Sequence, residues 1–199
     1  YCIEDVEADD VISYLVQNKR LRGWQKVIIS SDKDFYQLCD NDTVVYRPTQ
    51  KEVLNKYSII ERYGIHPNNF ALARAIAGDP SDNLRGIRGA GLKTISKRFS
   101  FMKEEKDYLI EDIVRHCEGV EKPLLIHERI IDEVNTIKKN YRLMQLYSPS
   151  LSPTLKSQVN YILENTEMNF NLTELRKMMI KDGFGEWDNS DLTIAMRKI

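Results

Sequence analysis

The feature that most constrains the fold is a short apolar run at residues 25–30 (QKVIIS), which ends directly in Ser31 and Asp32. Continuous apolar residues without polar alternation are typical of a strand in a buried parallel sheet. Parallel strands need crossover connections, which are usually helices, so helices are expected on either side of the run. The run therefore predicts an α/β fold.

The surrounding pattern agrees with that fold. Apolar residues repeat at helical spacing from residue 7 to about residue 17, with acidic residues in the first turn, where the helix dipole favours them. The sequence also predicts a second strand at 43–46 and helices at 34–39, about 55–63, 67–77 and 92–99. This order indicates a partial parallel sheet flanked by helices. Two strands are too few for a stable covered sheet, so further strands are expected upstream of Tyr1.

The charge of the chain is unevenly distributed, although its net value is only −1. Between Arg85 and Lys106 there are seven basic residues and two acidic ones. Acidic residues gather instead at 4–10, 32–42 and 79–82. A basic stretch beside acidic clusters suits a metal-dependent enzyme that acts on a polyanion, although an ordinary solvated surface would give the same charge pattern.

The cysteines and histidines are interpreted as structural residues. Cys2, Cys39 and Cys117 lie far apart and form no CxxC pair, which argues against a disulfide framework and a zinc site. His66, His116 and His127 also lack metal-ligand spacing. We find no signal peptide and no apolar run of the roughly 18 residues that span a bilayer, and we expect a reducing, cytoplasmic location.

Three groups of acidic residues are candidate metal ligands. They are Glu7, Asp9 and Asp10 at a helix start, Asp32 and Asp34 after the apolar strand, and Asp79 and Asp82 where a helix ends. Each group alone has an ordinary explanation in helix capping or turn chemistry. Their placement favours a metal site, because sites in open α/β sheets lie at the carboxyl ends of the strands. Mg²⁺ prefers oxygen ligands, and seven carboxylates in one pocket would repel each other without cations.

A glycine-rich segment at residues 86–94 (GIRGAGLKT) is the most specific motif. Glycines allow a close backbone approach, and the helix that follows offers amide groups to phosphate oxygens. Contacts of this kind hold a duplex without reading its sequence. The candidate DNA-binding residues are Arg85, Gly86, Arg88, Gly89, Gly91, Lys93, Thr94, Lys97 and Arg98. A tight interhelical turn is the structural alternative, and the P-loop spacing is absent.

Four motifs in order, V-E-A-D-D, S-D-K-D-F, G-D-P-S-D-N and G-I-R-G-A-G-L-K-T, resemble the 5′ nuclease family. This family includes flap endonucleases, the 5′–3′ exonuclease domain of DNA polymerase I and phage ribonuclease H enzymes. The resemblance is strong over residues 1–100 and weaker to about residue 155. It implies a PIN-like nuclease core at 1–82, a helix-hairpin-helix DNA-binding region with supporting helices at 83–155, and a helical tail at 156–199.

The resemblance also implies roles for these residues. Glu7, Asp9 and Asp10 would help bind one Mg²⁺ or Mn²⁺ ion, and Asp32, Asp34, Asp79 and Asp82 would serve a second. Residues 85–99 would clasp duplex DNA, with a potassium ion held by backbone carbonyls. The expected reaction is hydrolysis of a phosphodiester near the junction of a 5′ single strand with duplex DNA, or with an RNA–DNA hybrid.

The family's first strand, a further aspartate and the arch that carries catalytic Lys and Arg have no counterpart in this sequence. Either a companion polypeptide supplies this part, or the sequence is a fragment of a longer chain. A companion polypeptide and a single-stranded-DNA-binding protein are therefore candidate partners. A non-catalytic DNA-binding module that uses only the hairpin is the alternative function. In the tail, an apolar face could dock a replication protein or belong to the core: Met168, Phe170, Leu172, Leu175, Met178 and Met179.

Overall fold

The structure is a computed structural model that describes residues 6–165, 171–184 and 190. The chain divides into two compact units, Tyr1–Val159 and Asn160–Ile199. The first unit is an α/β fold with a small sheet and many helices, as the sequence predicts. Within the described residues, no helix is long and apolar enough to cross a membrane.

The helices and strands follow the predicted order closely. The α-helices are α1 (Ala8–Val16), α2 (Lys56–Tyr63), α3 (Phe70–Ala77), α4 (Leu92–Arg98), α5 (Ile110–Glu118), α6 (Leu125–Asp132), α7 (Val134–Met144), α8 (Pro153–Asn165) and α9 (Leu172–Lys181). The strands are β1 (Lys26–Ile29), β2 (Thr43–Arg47), β3 (Glu52–Leu54), β4 (Gly78–Asp79) and β5 (Leu84–Arg85). Short 3-10 helices occupy Lys19–Leu21, Asp34–Leu38, Pro67–Asn69 and Ser100–Lys103.

The main sheet is mixed rather than wholly parallel. β1 runs parallel to β2, with Val27 beside Val44, and β3 pairs antiparallel with β2, with Val45 beside Leu54. The sequence predicted β1 and β2 but not β3, which is only three residues long. Because β1 and β2 are parallel and adjacent, the residues that follow them emerge at the same edge of the sheet.

Within the described part of the first unit, one face of this sheet is buried and the other is not. Ile28, Val45 and Leu54 belong to the core on the buried face. On the opposite face Val27, Ile29 and Val53 are 53%, 71% and 57% exposed. The apolar run at 25–30 was expected to be a fully buried strand, and in this chain it is buried on one side only.

Helix α3 lies at the centre of the first unit and is buried along nearly its whole length. Its small side chains allow close packing against α7, and Phe70 forms an aromatic cluster with Tyr36 and Tyr63 at ring-centroid distances of 5.4 and 5.3 Å. The buried side chain of Asn140 on α7 donates from Nδ2 to the carbonyls of Ala75 (3.0 Å) and Arg85 (2.9 Å). This amide therefore joins α7 to both α3 and β5.

Gly78 and Gly86 allow the end of α3 to lie against β5, the strand that follows the next turn. Gly78 begins β4 with a φ of +76°, and it pairs with Arg85 of β5. A Cβ on Gly86 would lie 1.9 Å from the carbonyl oxygen of Ala77, and a Cβ on Gly78 would lie 2.2 Å from the amide nitrogen of Gly86. Both obstacles are backbone atoms, so no side-chain movement could relieve the overlap.

Two of the cysteines and two of the histidines are buried. Cys39 and Cys117 are buried free thiols, and Cys2 lies outside the described residues. His66 and His127 are buried, and burial lowers the pKa of each imidazole. His116 is exposed, and its ring packs edge-on against Phe99.

The tail face predicted from the sequence falls partly outside the described residues, because Met168 and Phe170 are not among them. In α9, Leu172, Leu175 and Met179 are half-buried, whereas Met178 is 62% exposed. Docking of a replication protein on this face stays a prediction.

We expect Gly86→Ala to lower the free energy of unfolding by about 3 kcal/mol, because the added methyl group overlaps the backbone of α3. Gly91→Ala is the matched control, since no atom lies within 4 Å of a Cβ built there. Gly91 is the N-cap of α4, so its change to Ala should cost at most about 1 kcal/mol. Urea denaturation of both variants measures how much free energy of unfolding each one loses. Equal losses would contradict the explanation by close backbone approach.

Candidate active site

Asp32 and Asp34 follow β1 at the carboxyl edge of the sheet. The amide of Asp32 donates to Ser30 Oγ (3.0 Å), and the amide of Asp34 donates to Asp32 Oδ1 (2.8 Å). Short polar side chains that bond backbone amides two residues on favour such a turn. The turn ends in the 3-10 helix Asp34–Leu38, of which Asp34 is the first residue.

The acidic residues of α1 lie at its amino terminus. Glu7 is the N-cap residue, and Asp9 and Asp10 occupy the first turn. The carboxylate of Asp10 accepts a hydrogen bond from the Ser150 amide (3.0 Å), so this side chain also anchors a distant loop. Helix starts favour negative charge, which is the local reason for acids at these positions.

The acidic side chains of α1 lie within electrostatic range of those that follow β1. The pKa of Asp9 is raised from its ordinary value of 3.8 because burial removes solvent, and because Asp32, Asp34, Glu7 and Asp10 add negative potential. The structure therefore brings the first two predicted acidic groups together. The third group reaches the site through Asp79, which contributes to raising the pKa of Asp34.

Arg74 is the residue at the centre of this arrangement. It lies on the buried face of α3, and its side chain is 10% exposed. Nε donates to Asp34 Oδ1 (2.9 Å), and Nη2 donates to Asp79 Oδ2. A buried guanidinium needs charged partners, and here each partner is a predicted metal ligand.

The two carboxylates paired with Arg74 respond differently to their surroundings. Burial raises the pKa of Asp34 above its ordinary value despite the opposing effect of Arg74. Burial also disfavours the charged form of Asp79, but hydrogen bonds from Ser81 and Arg74 outweigh that effect and lower its pKa. Asp79 Oδ1 accepts from both the amide (2.9 Å) and the hydroxyl (2.5 Å) of Ser81.

Asp82 lies in the turn between β4 and β5 and is exposed, as Glu7 and Asp32 are. Among the described residues, no three His, Cys, Asp or Glu side chains already form a geometry that could hold a metal ion. The donor set nevertheless suits a hard cation, since it consists of carboxylates that repel one another and are partly desolvated.

The predicted DNA-binding residues lie along β5, the loop after it and α4. All of the basic side chains among them are exposed: Arg85, Arg88, Lys93, Lys97 and Arg98. Gly89 has a φ of +86°, whereas Gly86 lies against the backbone at the end of α3. Thr94 is half-buried in α4.

Neighbouring helices hold this loop in place. Arg129 of α6 donates from Nη1 to the Arg88 carbonyl (2.9 Å), and Glu133 pairs with Arg85 (3.1 Å). Sequence reasoning did not single out Arg129, Asn140 or Arg74. Their partners are distant in sequence, and only the unusual position of Arg74 in the apolar stretch FALARAIA could have marked it.

Comparison with known proteins agrees with this picture. Residues 1–64 match the family model of the 5′-3′ exonuclease N-terminal resolvase-like domain. The chain is 30% identical over 142 residues to a 5′-3′ exonuclease of Aquifex aeolicus, a match that covers 71% of this chain and 46% of the relative. It is 31% identical over 140 residues to the thermostable DNA polymerase I of Thermus thermophilus, covering 70% of this chain and 16% of the polymerase.

Solved structures of bacteriophage T5 proteins share the fold. The T5 5′-exonuclease with bound zinc ions aligns with a TM-score of 0.67, at 22% identity over 84% of this chain and 62% of that one. The T5 D15 flap endonuclease in complex with DNA and metal ions aligns with a TM-score of 0.65, over 82% of this chain and 61% of that one.

An α/β fold is the architecture that the solved T5 structures share with the chain. The chain belongs to the 5′ nuclease family, as its motifs predicted. It spans about half of the length of the Aquifex aeolicus exonuclease and about a sixth of the Thermus thermophilus polymerase.

We expect Arg74→Gln to lower the free energy of unfolding by about 3–5 kcal/mol in EDTA, because it leaves Asp34 and Asp79 buried without a cation. The same change in an Asp34→Asn/Asp79→Asn background should cost much less, since the repelling charges are gone. Chemical denaturation of the unmodified chain, Arg74→Gln, Asp34→Asn/Asp79→Asn and the triple variant completes this double-mutant cycle. An equal cost in both backgrounds would show that Arg74 acts through packing alone.

The raised pKa of Asp9 gives a second expectation. Because the pKa of Asp9 is raised in the folded state, its ionised form lowers the stability of the protein. This loss of stability is present at neutral pH and disappears as the pH falls through the raised pKa towards 3.8. Asp9→Asn should therefore stabilise the protein in EDTA at pH 7 and have little effect near pH 4. Glu121→Gln, an exposed acid, is the control. Thermal unfolding that shows the same Asp9→Asn shift at both pH values would refute the electrostatic cause.

Proposed function

We propose that this chain supplies part of the active site of a structure-specific 5′ nuclease. The whole enzyme would hydrolyse phosphodiesters near the junction of a 5′ single strand with duplex DNA, in replication or repair. The observation that carries the proposal is that Asp9 of α1 lies within electrostatic range of Asp32 and Asp34 at the sheet edge, in a chain whose relatives include 5′-3′ exonucleases.

The carboxylates would bind Mg²⁺ or Mn²⁺, with Glu7, Asp9 and Asp10 serving one ion. The second ion would take Asp32, Asp34, Asp79 and Asp82. Two bound divalent cations would supply Lewis-acid stabilisation of the negative charge that develops on the phosphodiester. Related T5 structures contain zinc and other metal ions, which supports this use of the site.

The protein's own residues would position the ligands. Arg74 holds one oxygen of Asp34 and one oxygen of Asp79, which fixes both side chains and leaves Asp34 Oδ2 outside this pair of contacts. The Asp34 amide holds Asp32 Oδ1 in the same way. These contacts limit how far the carboxylates move apart when no cation opposes their repulsion.

Residues 85–99 would form the helix-hairpin-helix element that holds the duplex. The exposed side chains of Arg88, Lys93 and Lys97 suit contacts with phosphates, which position DNA without reading its sequence. A related T5 flap endonuclease was solved with DNA. The potassium ion proposed for this loop would use backbone carbonyls, of which the Arg88 carbonyl already accepts from Arg129.

A companion polypeptide is part of the proposal. The exposed face formed by Val27, Ile29 and Val53 is apolar, whereas sheets with parallel strands are normally covered on both faces. A further segment that packs on this face would bury it and would bring additional residues to the neighbouring sheet edge. A single-stranded-DNA-binding protein remains a candidate partner of the whole enzyme.

A non-catalytic DNA-binding module is the second candidate function. It is favoured by the engagement of Asp34 and Asp79 with Arg74, which leaves fewer carboxylate oxygens for a cation. In that case the chain with its companion would bind flap DNA equally well in EDTA and in Mg²⁺, without cleaving it.

The nuclease proposal predicts that Asp32→Asn/Asp34→Asn lowers the cleavage rate of 5′-flap DNA in Mg²⁺ by at least about 100-fold, when measured on the chain together with its companion. The magnitude follows from the several kcal/mol of charge stabilisation that metal ions contribute, at tenfold per roughly 1.4 kcal/mol. The same variant of the chain alone should lose Mn²⁺ binding in calorimetric titrations.

Glu118→Gln/Glu121→Gln is the control for this experiment, because it removes two exposed acids from another part of the surface. It should cleave flaps and bind Mn²⁺ like the unmodified chain. If Asp32→Asn/Asp34→Asn also keeps both properties, the assignment of the metal site is wrong.

A further inference from the structure

A basic groove lies between α7 and the amino terminus of α1. It encloses a cavity of about 730 Å³ whose lining includes Lys138, Lys139 and Arg142 on one side and Glu7 and Asp10 on the other. A second cavity of about 950 Å³ continues it, since both cavities are lined by Arg142, Gln145 and Ser150. Lys156 also lines the second cavity.

The walls of the groove are fixed by hydrogen bonds between distant parts of the chain. Ser13 Oγ and Gln17 Nε2 of α1 both donate to the carbonyl of Leu146, which follows α7. The amide of Ser150 donates to Asp10, which joins the segment after α7 to α1 at a second point. The groove is therefore a built feature of the fold.

The basic side chains that α7 contributes to the groove are exposed and weakly engaged. Lys138 and Arg142 are four residues apart and so share one face of α7. The ion pair of Lys138 with Glu111 (3.4 Å) joins two exposed side chains, and such surface pairs contribute little. Lys139 and Arg142 are also exposed. With Lys156, four positive charges follow the groove, and an extended polyanion would complement them.

We infer that this groove binds the phosphate backbone of a single-stranded nucleic acid as it leaves the cleavage site. The inference rests on the proposed function, because it takes Glu7 and Asp10 to mark that site. Those two acids line the beginning of the groove, so a strand placed there runs from the carboxylates onto the basic residues of α7. The glycine-rich loop at 86–94 would hold the duplex, and the groove would hold the single strand.

The test measures binding of the full chain to two fluorescent DNAs in EDTA over a range of salt concentrations. One is a duplex with a 5′ single-stranded flap, and the other is the same duplex without the flap. Lys139→Ala/Arg142→Ala should weaken binding of the flapped DNA several-fold and leave the plain duplex unchanged. The salt slope for the flapped DNA should fall by about 1.4, because each single-strand phosphate that is no longer neutralised removes about 0.7.

Two control variants separate the groove from the loop and from general charge. Lys93→Ala/Lys97→Ala should weaken binding of both DNAs, because these residues lie on the proposed duplex surface. Lys19→Ala/Lys122→Ala removes two exposed charges elsewhere and should change neither. If Lys139→Ala/Arg142→Ala affects both DNAs equally, or neither, the groove does not bind the single strand.

A gain of binding makes the test independent of any damage to the fold. Leu143 lines the groove on α7 and is 62% exposed. Leu143→Lys should tighten binding of the flapped DNA and steepen its salt dependence, with no change for the plain duplex. An unaltered affinity for the flapped DNA would overturn the inference.

The inference and the proposed function can fail separately. Flap-selective binding through Lys139 and Arg142 in EDTA, without cleavage by the assembled enzyme, would leave the groove in place and refute the nuclease. Cleavage that disappears on changing Asp32 and Asp34, with flap binding insensitive to Lys139 and Arg142, would do the reverse.

Discussion

The ion pairs of Arg74 with Asp34 and Asp79 are the interaction on which the rest of the first unit depends. Helix α3 is buried along nearly its whole length, and an arginine in such a place is tolerated only with charged partners. Those partners come from the loop after β1 and from the end of β4, so the pairs tie the sheet edge to the end of the central helix. They also place positive charge among carboxylates that otherwise repel one another, which offsets part of that repulsion.

Much of the architecture was predictable from local patterns. The apolar run at 25–30 and the helical spacing that precedes it gave β1 and α1 almost residue for residue, because buried strands and amphipathic helices leave clear periodic signals. Strand β3 was missed because it has three residues, and β4 and β5 because each has two. These strands depend on pairing with partners elsewhere in the chain, and no periodicity can develop over so short a length.

The candidate site was likewise only partly predictable from the sequence. Acidic residues at helix starts and strand ends were visible in the sequence, and the structure brings Asp9 close to Asp32 and Asp34. The roles of Arg74, Asn140 and Arg129 were hidden, because each depends on a partner that folding alone brings near. The groove beside α7 was hidden for that reason too. Its basic residues are separated from Glu7 and Asp10 by more than 120 positions, and the hydrogen bonds of Leu146 and Ser150 help to place them on one surface.

The close approach of Gly78 and Gly86 has a consequence for how this sequence can change over time. Each glycine lies where a side chain would meet main-chain atoms rather than another side chain. A substitution at one position therefore cannot be rescued by trimming a neighbour, since glycine already stands on both sides of the approach. The two positions therefore cannot change through successive single substitutions. The link between the acidic pocket and the glycine-rich loop is accordingly among the parts of this fold least open to gradual change in sequence.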